Sequence, residues 1–259
     1  MSDTRTNGIY PGVIEMGYFS VSTKTWMKNL RVNKNAVPDK LIIEGRIRSE
    51  LGMARRAEKL QNVKPGWEPG IITGEYNGQK VAFAMCVGGP VASQISHLYC
   101  KFGVKRIIQI GTGGGLQKNI ALGDILVGRR VLSLDGSARL YKQRTRLVKF
   151  DKDLVDAVIA RLKHRKLGFH VGNIVTYFDI LLEEMKDLRA LCKAGYLGVD
   201  MEAASVASVA NYFGVPAVSL FYASDNSITG KSIFHKKSAK ELEATRAAND
   251  AIFEIALEL

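Results

Sequence analysis

The sequence predicts a single α/β domain whose mixed sheet is covered by helices on both faces. Two observations support this class. Short runs rich in β-branched residues alternate with helical patterns over most of the 259 residues, which is typical of strands joined by crossover helices. Hydrophobic residues make up 46% of the chain, enough at this length for one well-buried core. We assign residues 38–259 to this domain and residues 1–37, which show no sustained period, to an N-terminal arm that contacts a partner subunit.

The predicted strands are bounded by glycine, proline and other turn residues. They span residues 40–44, 70–76, 79–87, 106–110, 124–134, 169–176 and 216–222. The pair Asn77-Gly78 between the second and third strands is typical of a tight hairpin. The run at 106–110 is apolar and rich in β-branched residues, so we expect a buried central strand that stops at the glycines after it.

Helices are predicted where apolar residues recur with a helical period. They span residues 46–60, 92–102, 151–166 and 203–213, and a last helix runs to the C-terminus. The helix at 151–166 is amphipathic, whereas the one at 203–213 is small and apolar on all sides and must be buried. The last helix opens with Ser238-x-x-Glu241, the pattern of a capping box.

Bulk composition excludes several classes of protein. The apolar runs are too short to cross a bilayer and the N-terminus has no continuous apolar segment, so we expect neither a membrane protein nor a secreted precursor. Three cysteines without CxxC spacing indicate a reducing cytoplasm, and no histidine has the spacing of a metal ligand. The net charge of +12 would attract phosphate, nucleotides or nucleic acid. Only Tyr141 lies among basic residues as a nucleic-acid surface requires, so nucleic acid is not an expected partner.

A run of glycines follows the predicted central strand. In Gly111-Thr-Gly-Gly-Gly115 the backbone N–H groups and the Thr112 hydroxyl can approach an anion or a sugar closely. The spacing fits neither the dinucleotide fingerprint nor the P-loop. A structural turn is the alternative, but such a turn rarely needs so many glycines.

Two further segments place carboxylates where they are rarely found without a purpose. In Gly198-Val-Asp-Met-Glu-Ala-Ala204, Asp200 and Glu202 interrupt an apolar stretch, and a carboxylate is a natural bidentate acceptor for the cis hydroxyls of a ribose. Asp225 lies at the carboxyl end of a core strand, where α/β proteins bind their ligands. A turn acid with ordinary ionisation is the alternative for Asp225.

These three segments, in this order, make the chain similar to the nucleoside phosphorylase family, which includes purine nucleoside phosphorylases, uridine phosphorylases and methylthioadenosine nucleosidases. The resemblance runs from about Leu41 to the C-terminus. It implies a partly barrel-like central sheet and a small-molecule nucleoside as substrate. It also implies a homo-oligomer, either a dimer or a hexamer built as a trimer of dimers, whose sites borrow residues across subunits.

The resemblance also implies roles for single residues. Asp225 matches the acid that gives a proton to the departing base, and Glu202 matches the acceptor of the ribose 2′- and 3′-hydroxyls. The other substrate-binding positions that it implies are Met201 under the sugar, Asp200, Val87, Val175, Thr176, Tyr177 and Phe178. Val175 stands where purine-handling members often carry an aromatic residue that stacks on the base, so Tyr177 or Phe178 would have to supply that contact.

The resemblance leaves the nucleophile open. Phosphorolytic relatives carry an arginine two residues before the glycine run, where this chain has the uncharged Gln109, so Arg46 and Arg48 would supply the charge from a shifted position. The implied phosphate-binding set is Gly45, Arg46, Arg48, Gln109, Gly111, Thr112 and Gly113. In hydrolytic relatives a glutamate five residues after the loop glycine activates water, which falls here on Glu50. A solvated carboxylate in the first turn of a helix is an equal alternative for Glu50.

We expect phosphorolysis of a purine ribonucleoside, with inorganic phosphate as co-substrate and neither a cofactor nor a metal. Attack by water activated by Glu50 is the first alternative. A non-catalytic nucleoside-binding protein is the second, and Asp225 argues against it. The insert at 231–237, bounded by Gly230 and rich in charge, is a candidate lid.

Overall fold

One mixed sheet forms the centre of the protein in the computed structural model, which describes residues 17–47 and 49–259. Its strands are β1 (Lys40–Gly45), β2 (Gln61–Pro65), β3 (Ile71–Tyr76), β4 (Gln79–Cys86), β5 (Arg106–Gly115), β6 (Ile125–Ser133), β7 (Leu147–Lys149), β8 (Phe169–Thr176), β9 (Gly198–Asp200) and β10 (Ala217–Asp225). The helices are α1 (Thr23–Asn29), α2 (Glu50–Ala57), α3 (Gly89–Phe102), α4 (Ser137–Leu140), α5 (Lys152–His164), α6 (Met185–Lys193), α7 (Ala203–Phe213) and α8 (Ala239–Glu258).

Half of the sheet closes on itself. Going round the ring, β5 pairs with β10, β10 with β6, β6 with β8, β8 with β9, and β9 again with β5. From β5 the sheet continues outward through β1, β4, β3 and β2, and β7 adds to β6. This five-stranded barrel with an open extension confirms the predicted mixed, partly barrel-like sheet of one α/β domain.

Four parallel strands place their carboxyl ends at one edge of the sheet. β1 lies between β4 and β5 and is parallel to both, with Gly45 opposite Cys86 on one side and Gly111 on the other. β10 is parallel to β5, with Phe221 opposite Gly111. The residues that follow these positions therefore converge at one end of the molecule, which is where open α/β sheets bind ligands.

The helices cover both faces of the sheet. α3 and α7 pack against each other, α8 packs on β5 and β10, and α5 packs on β6. Residues 203–210 of α7 are all buried, as predicted from its small apolar side chains. The capping box at the start of α8 is present, with the Ser238 side chain and Glu241 each accepting a hydrogen bond from the other's backbone. The tight hairpin at Asn77-Gly78 also joins β3 to β4 as predicted.

Several predicted boundaries are wrong. The helix predicted at 46–60 is only α2, because the Ser49 side chain accepts a hydrogen bond from Gly52 N and starts the helix there, and residues 61–65 form an edge strand instead. The central strand does not stop at Ile110. It continues through the glycines to Gly115, because these residues pair with β10 and β9.

The N-terminal arm was also predicted without regular structure, and this is wrong for part of it. Residues 23–29 form α1, capped by Ser22, and Trp26, Met27 and Leu30 pack on the core of their own chain. Residues 1–16 lie outside the described part, and contact of the arm with a partner subunit stays a prediction. The short elements that the sequence did not indicate are α4, α6, β2, β7 and β9.

Candidate active site

A cavity of about 560 Å³ opens where the parallel strands end. It is lined by Gly45, Arg46, Ile47, Val87, Thr112, Gly113, Gly114, Asp179, Ile180, Leu181, Glu183, Val199, Asp200, Met201, Glu202, Ser224, Asp225 and Ile233. The sequence motifs that suggested chemistry therefore meet in one place. In particular, Glu202 from the start of α7 and Asp225 from the end of β10 line the same space.

Glu202 is held firmly at one end of this cavity. Gly88 N donates a hydrogen bond of 2.6 Å to Glu202 Oε1, and only 4% of the residue is exposed. A Cβ atom on Gly45 would lie 2.2 Å from Glu202 Oε2, so the carboxylate can take this position only because residue 45 is a glycine. Burial raises the pKa of Glu202, and the nearby Asp200 carboxylate raises it further.

Asp200 organises the segment that presents Glu202. Its Oδ2 accepts hydrogen bonds from Ala203 N at 2.7 Å and Glu202 N at 3.2 Å, and its Oδ1 accepts one from the Thr176 hydroxyl. The carboxylate thus satisfies the free N–H groups at the start of α7. Asp200 lines the cavity, but its oxygens are already engaged, so it positions Glu202 instead of offering a free acceptor.

Asp225 lines the cavity from the end of β10, beside the glycine-rich end of β5. Its Oδ1 accepts a hydrogen bond of 3.0 Å from the Ser224 hydroxyl, and its Oδ2 lies 3.4 Å from where a Cβ atom on Gly114 would be. The next residue, Asn226, is fully buried and donates to the carbonyls of Gln117 and Ile120, which fixes the end of β10. Burial raises the pKa of Asp225, which favours a protonated acid.

The glycines of β5 are required by close packing as well as by the cavity. A Cβ atom on Gly113 would lie 2.4 Å from Val199 O and 2.5 Å from the Phe221 ring, and one on Gly111 would lie 2.8 Å from Gly45 O. Thr112, Gly113 and Gly114 line the cavity, whereas Gly111 does not. The packing of the fold therefore requires these glycines, and part of the run also lines the cavity.

Arg46 brings a positive charge to the same cavity. Its guanidinium donates a hydrogen bond of 2.7 Å to the Tyr222 hydroxyl and lies 3.7 Å from Glu44. Glu44 is fully buried and is already paired with Arg56 through two hydrogen bonds of 2.9 and 3.0 Å. Because Arg56 compensates Glu44, the charge of Arg46 remains available at the cavity, where it is the only cation among the described lining residues.

Other predicted substrate-binding residues are not brought to the cavity. Val175 is fully buried and packs with Tyr177, Leu116 and Val199 in a separate apolar cluster, because β8 lies between β6 and β9 and directs this side chain into the barrel wall. Thr176 is buried beneath the start of α7, where it holds Asp200 and accepts a hydrogen bond from Ala204 N. Phe178 is exposed and does not line the cavity.

Three predicted nucleophile-side residues are also placed elsewhere or not described. Gln109 is 1% exposed and its amide is engaged with Ile110 O and Ser219, so it lies beneath the cavity instead of facing it. Glu50 is exposed at the start of α2 and lines a different cavity with Trp67 and Glu68. Arg48 lies outside the described residues.

One wall of the cavity was not indicated by any sequence motif. This wall is the segment after β8, which includes a short 3-10 helix (Ile180–Leu182) and ends in Glu183. Burial raises the pKa of Glu183 to about 7, with a further contribution from Asp225. The run Ile180-Leu-Leu182 is apolar but exposed, and exposed apolar residues can indicate a site of ligand contact. Ile233, in the candidate lid, also lines the cavity.

Some classes of site are not seen in the described residues. Over 17–47 and 49–259, no group of three or more histidine, cysteine, aspartate or glutamate side chains could hold a metal ion. Within the same ranges, the helices are all too short or too polar to span a bilayer.

The chain is similar in sequence to a known family of proteins. The chain matches the sequence profile of the Phosphorylase superfamily over residues 48–258. It is 30% identical over 192 residues to a DeoD-type purine nucleoside phosphorylase from Actinobacillus succinogenes, covering 72% of this chain and 76% of that protein. It is 31% identical over 190 residues to the corresponding protein of Pasteurella multocida, covering 72% and 77%.

A solved structure shows the same fold. Uridine phosphorylase from Vibrio fischeri superposes with a TM-score of 0.75 at 19% identity, over 88% of this chain and 94% of that one. The extent of the profile match and the identity to the purine nucleoside phosphorylases establish that this chain belongs to the phosphorylase superfamily, as a member of the nucleoside phosphorylase family.

Proposed function

We propose that this protein cleaves the N-glycosidic bond of a purine ribonucleoside by phosphorolysis, releasing the free base and ribose 1-phosphate. The observation that carries the proposal is that Glu202 and Asp225 line one cavity, which also contains the glycine strand and Arg46. Breaking this bond develops positive charge on the sugar and negative charge on the base. Groups are needed at both ends of the substrate, and this cavity has them.

At the sugar end, Glu202 accepts hydrogen bonds from the ribose 2′- and 3′-hydroxyls. The hydrogen bond from Gly88 N and the close packing against Gly45 hold the Glu202 carboxylate in one orientation. Little ordering of this side chain is therefore needed when the sugar binds. The pKa of Glu202 is raised mainly because its buried carboxylate is shielded from water. Two hydroxyl donors would replace the missing water and favour the ionised form. Met201 lines the same end and packs against the sugar.

At the base end, Asp225 donates its proton to the purine N7 as the bond from C1′ to N9 breaks. The electron pair of that bond moves to the base, which leaves as the neutral heterocycle once it is protonated. A free aspartate would be ionised near neutral pH, but burial raises the pKa of Asp225 and so increases its protonated fraction. A general acid so placed typically contributes about 10²- to 10⁴-fold in rate.

The phosphate is held by Arg46 and by the first residues of the glycine-rich end of β5. The guanidinium is fixed by Tyr222, and Thr112 and Gly113 line the cavity beside it. One phosphate oxygen forms a bond to C1′ on the face opposite the departing base. Charge-assisted hydrogen bonds from arginine are the strongest neutralising contacts a side chain offers to phosphate.

The purine base and the phosphate nucleophile are supported by different observations. The relatives at 30–31% identity are purine nucleoside phosphorylases, which favours a purine over the pyrimidine handled by the structural neighbour. Water attack would require a base near the sugar, and Glu50 lines another cavity. Phosphate, drawn to Arg46, is therefore the nucleophile we propose.

The test is a panel of purine and pyrimidine nucleosides incubated with the protein, with and without inorganic phosphate, while release of free base is followed. We expect release from purine nucleosides that depends strictly on phosphate and yields ribose 1-phosphate. The Glu50→Gln variant should retain the wild-type rate. Equal release without phosphate, together with loss of activity in Glu50→Gln, would replace phosphorolysis by hydrolysis.

A further inference from the structure

The base end of the cavity contains a second carboxyl group that the proposed reaction does not use. Glu183, at the end of the 3-10 helix after β8, lines the cavity together with Asp225 from β10. The two carboxyls interact electrostatically, since Asp225 contributes to the raised pKa of Glu183. Two partly buried acids thus face the space where a base would lie.

Glu183 has a carboxyl group that the fold does not use, whereas Asp179 on the same wall has a structural role. Asp179 also lines this wall, but its Oδ1 accepts a hydrogen bond of 2.9 Å from Leu181 N and so caps the short helix. The Glu183 side chain makes no hydrogen bond within the described part of the chain, although its own backbone N–H is bonded to Ile180 O. Among the two carboxyl groups of this wall, that of Glu183 is the one not engaged in a hydrogen bond within the described residues.

Electrostatics disfavours the simultaneous ionisation of Glu183 and Asp225. Burial is the main cause that raises both pKa values, and the like charge of Asp225 adds to that of Glu183, so full ionisation of both is disfavoured. The positive charge of Lys237 lowers the pKa of Asp225 and so opposes the effect of burial. Asp179 is a further acidic residue on the wall that carries Glu183. The remaining charged lining groups, at the sugar and phosphate ends, are Asp200, Glu202 and Arg46.

A pair that holds one proton is complementary to one class of purine. On the edge that carries N7, a 6-aminopurine presents an acceptor at N7 beside a donor at the amino group, whereas a 6-oxopurine presents two acceptors. With its proton on Asp225, the pair offers a donor to N7 and an acceptor, Glu183, to the amino group. A 6-oxopurine would need a second proton on the pair or would leave Glu183 facing a carbonyl oxygen.

We propose that Glu183 is a specificity residue which accepts a hydrogen bond from the 6-amino group of the base, so that this site selects 6-aminopurine over 6-oxopurine nucleosides. This rests on the proposed function for the placement of N7 at Asp225. It assigns a role to Glu183 that is separate from the proton transfer itself.

The experiment compares adenosine, inosine and purine riboside, which lacks a substituent at C6, in the wild type and in Glu183→Gln. A glutamine offers both a donor and an acceptor at the same place. We expect the adenosine-to-inosine ratio of kcat/KM to fall by about tenfold in Glu183→Gln, the size of one hydrogen bond to a charged group, with little change for purine riboside. The matched control is Glu184→Gln, because Glu184 is exposed, pairs with Lys186 and does not line the cavity.

Binding of the same three nucleosides, measured by calorimetry without phosphate, separates this inference from the proposed function. Absence of turnover with a preference for adenosine that Glu183→Gln removes would reject the proposed reaction and support the role of Glu183. An adenosine-to-inosine ratio that is the same in wild type and Glu183→Gln, or an equal loss for all three nucleosides, would overturn the role of Glu183 even if phosphorolysis is established.

Discussion

The Tyr222 hydroxyl accepts a hydrogen bond of 2.7 Å from Arg46, and this bond holds the guanidinium at the carboxyl end of β1. Tyr222 is itself 5% exposed on β10, so it presents a rigid acceptor. Glu44, 3.7 Å from Arg46, is occupied by Arg56. The orientation of the Arg46 guanidinium, the cation that we propose binds phosphate, therefore depends on a tyrosine in β10, and β5 lies between that strand and β1.

Tyr222→Phe should weaken phosphate binding without removing the cation. We expect KM for phosphate to rise by about tenfold, because the guanidinium loses one charge-assisted hydrogen bond, while KM for the nucleoside changes little. Arg46→Met should raise KM for phosphate further. Initial rates at varied phosphate give these values, with Tyr212→Phe as control, since Tyr212 is 39% exposed and does not line the cavity. An equal rise in both KM values would show that Tyr222 acts on the fold and not on Arg46.

Asp225→Asn should remove catalysis while retaining binding. An amide cannot donate the proton that the leaving base requires, so we expect kcat to fall by about 10²- to 10⁴-fold and nucleoside affinity to change less than tenfold. Rapid-quench rates and calorimetric affinities measure the two effects. Asp153→Asn, at an exposed position in the first turn of α5, is the control. Turnover at the wild-type rate in Asp225→Asn would mean that another group protonates the base.

Local patterns were enough to predict the parallel strands and the residues at their ends. The apolar runs before Gly45, Thr112 and Asp225 gave the correct edge of the sheet, because period and composition indicate buried strands without knowledge of their partners. Asp200 and Glu202 were predicted to be functional because they lie in an apolar stretch before a buried helix, where a carboxylate is costly to bury unless it is paired or used. These residues line the cavity, and so does Arg46.

The positions that failed depend on partners distant in sequence. Val175 looked available as a ligand contact, but β9 pairs with β8 and encloses it, and a three-residue strand leaves no periodic signal. The continuation of β5 through its glycines depends on the close approach of Val199 and Phe221. Glu183 was missed because its place on the cavity wall is set by how the segment after β8 packs, not by a motif.

Arg56→Ala should destabilise the protein through Glu44. Glu44 is fully buried, and removal of its two hydrogen bonds from Arg56 would leave it with the longer 3.7 Å contact to Arg46. Breaking a buried ion pair typically costs about 3–5 kcal/mol. Packing of Arg56 over the Phe253 ring would be lost too. Urea unfolding measures the change, and Arg55→Ala at the exposed neighbouring position is the control. A loss below about 1 kcal/mol, the range of surface pairs, would show that Arg46 compensates the Glu44 charge in place of Arg56.

Glu202→Gln should trade activity for stability at alkaline pH. Burial, and then the charge of Asp200, raise the pKa of Glu202 in the folded state above its unfolded value. Such a group stabilises the fold fully below its unfolded pKa, and this contribution is lost as pH rises through the folded pKa. The free energy of unfolding of the wild type should therefore fall towards pH 9 as Glu202 ionises. The glutamine variant does not show this contribution because its side chain stays uncharged.

We expect the Tm of Glu202→Gln to exceed that of the wild type at pH 9 by more than at pH 6, with each kcal/mol of difference equal to about 2–4 °C for a domain of this size. Its kcat/KM should fall at least about tenfold, since the amide loses the charge that binds the ribose diol. Differential scanning calorimetry at the two pH values tests the first part, with the exposed Glu243→Gln as control. A Tm difference that does not vary with pH would mean that Glu202 carries its charge at no cost in the empty site, and that Gly88 N–H alone is enough to stabilise it.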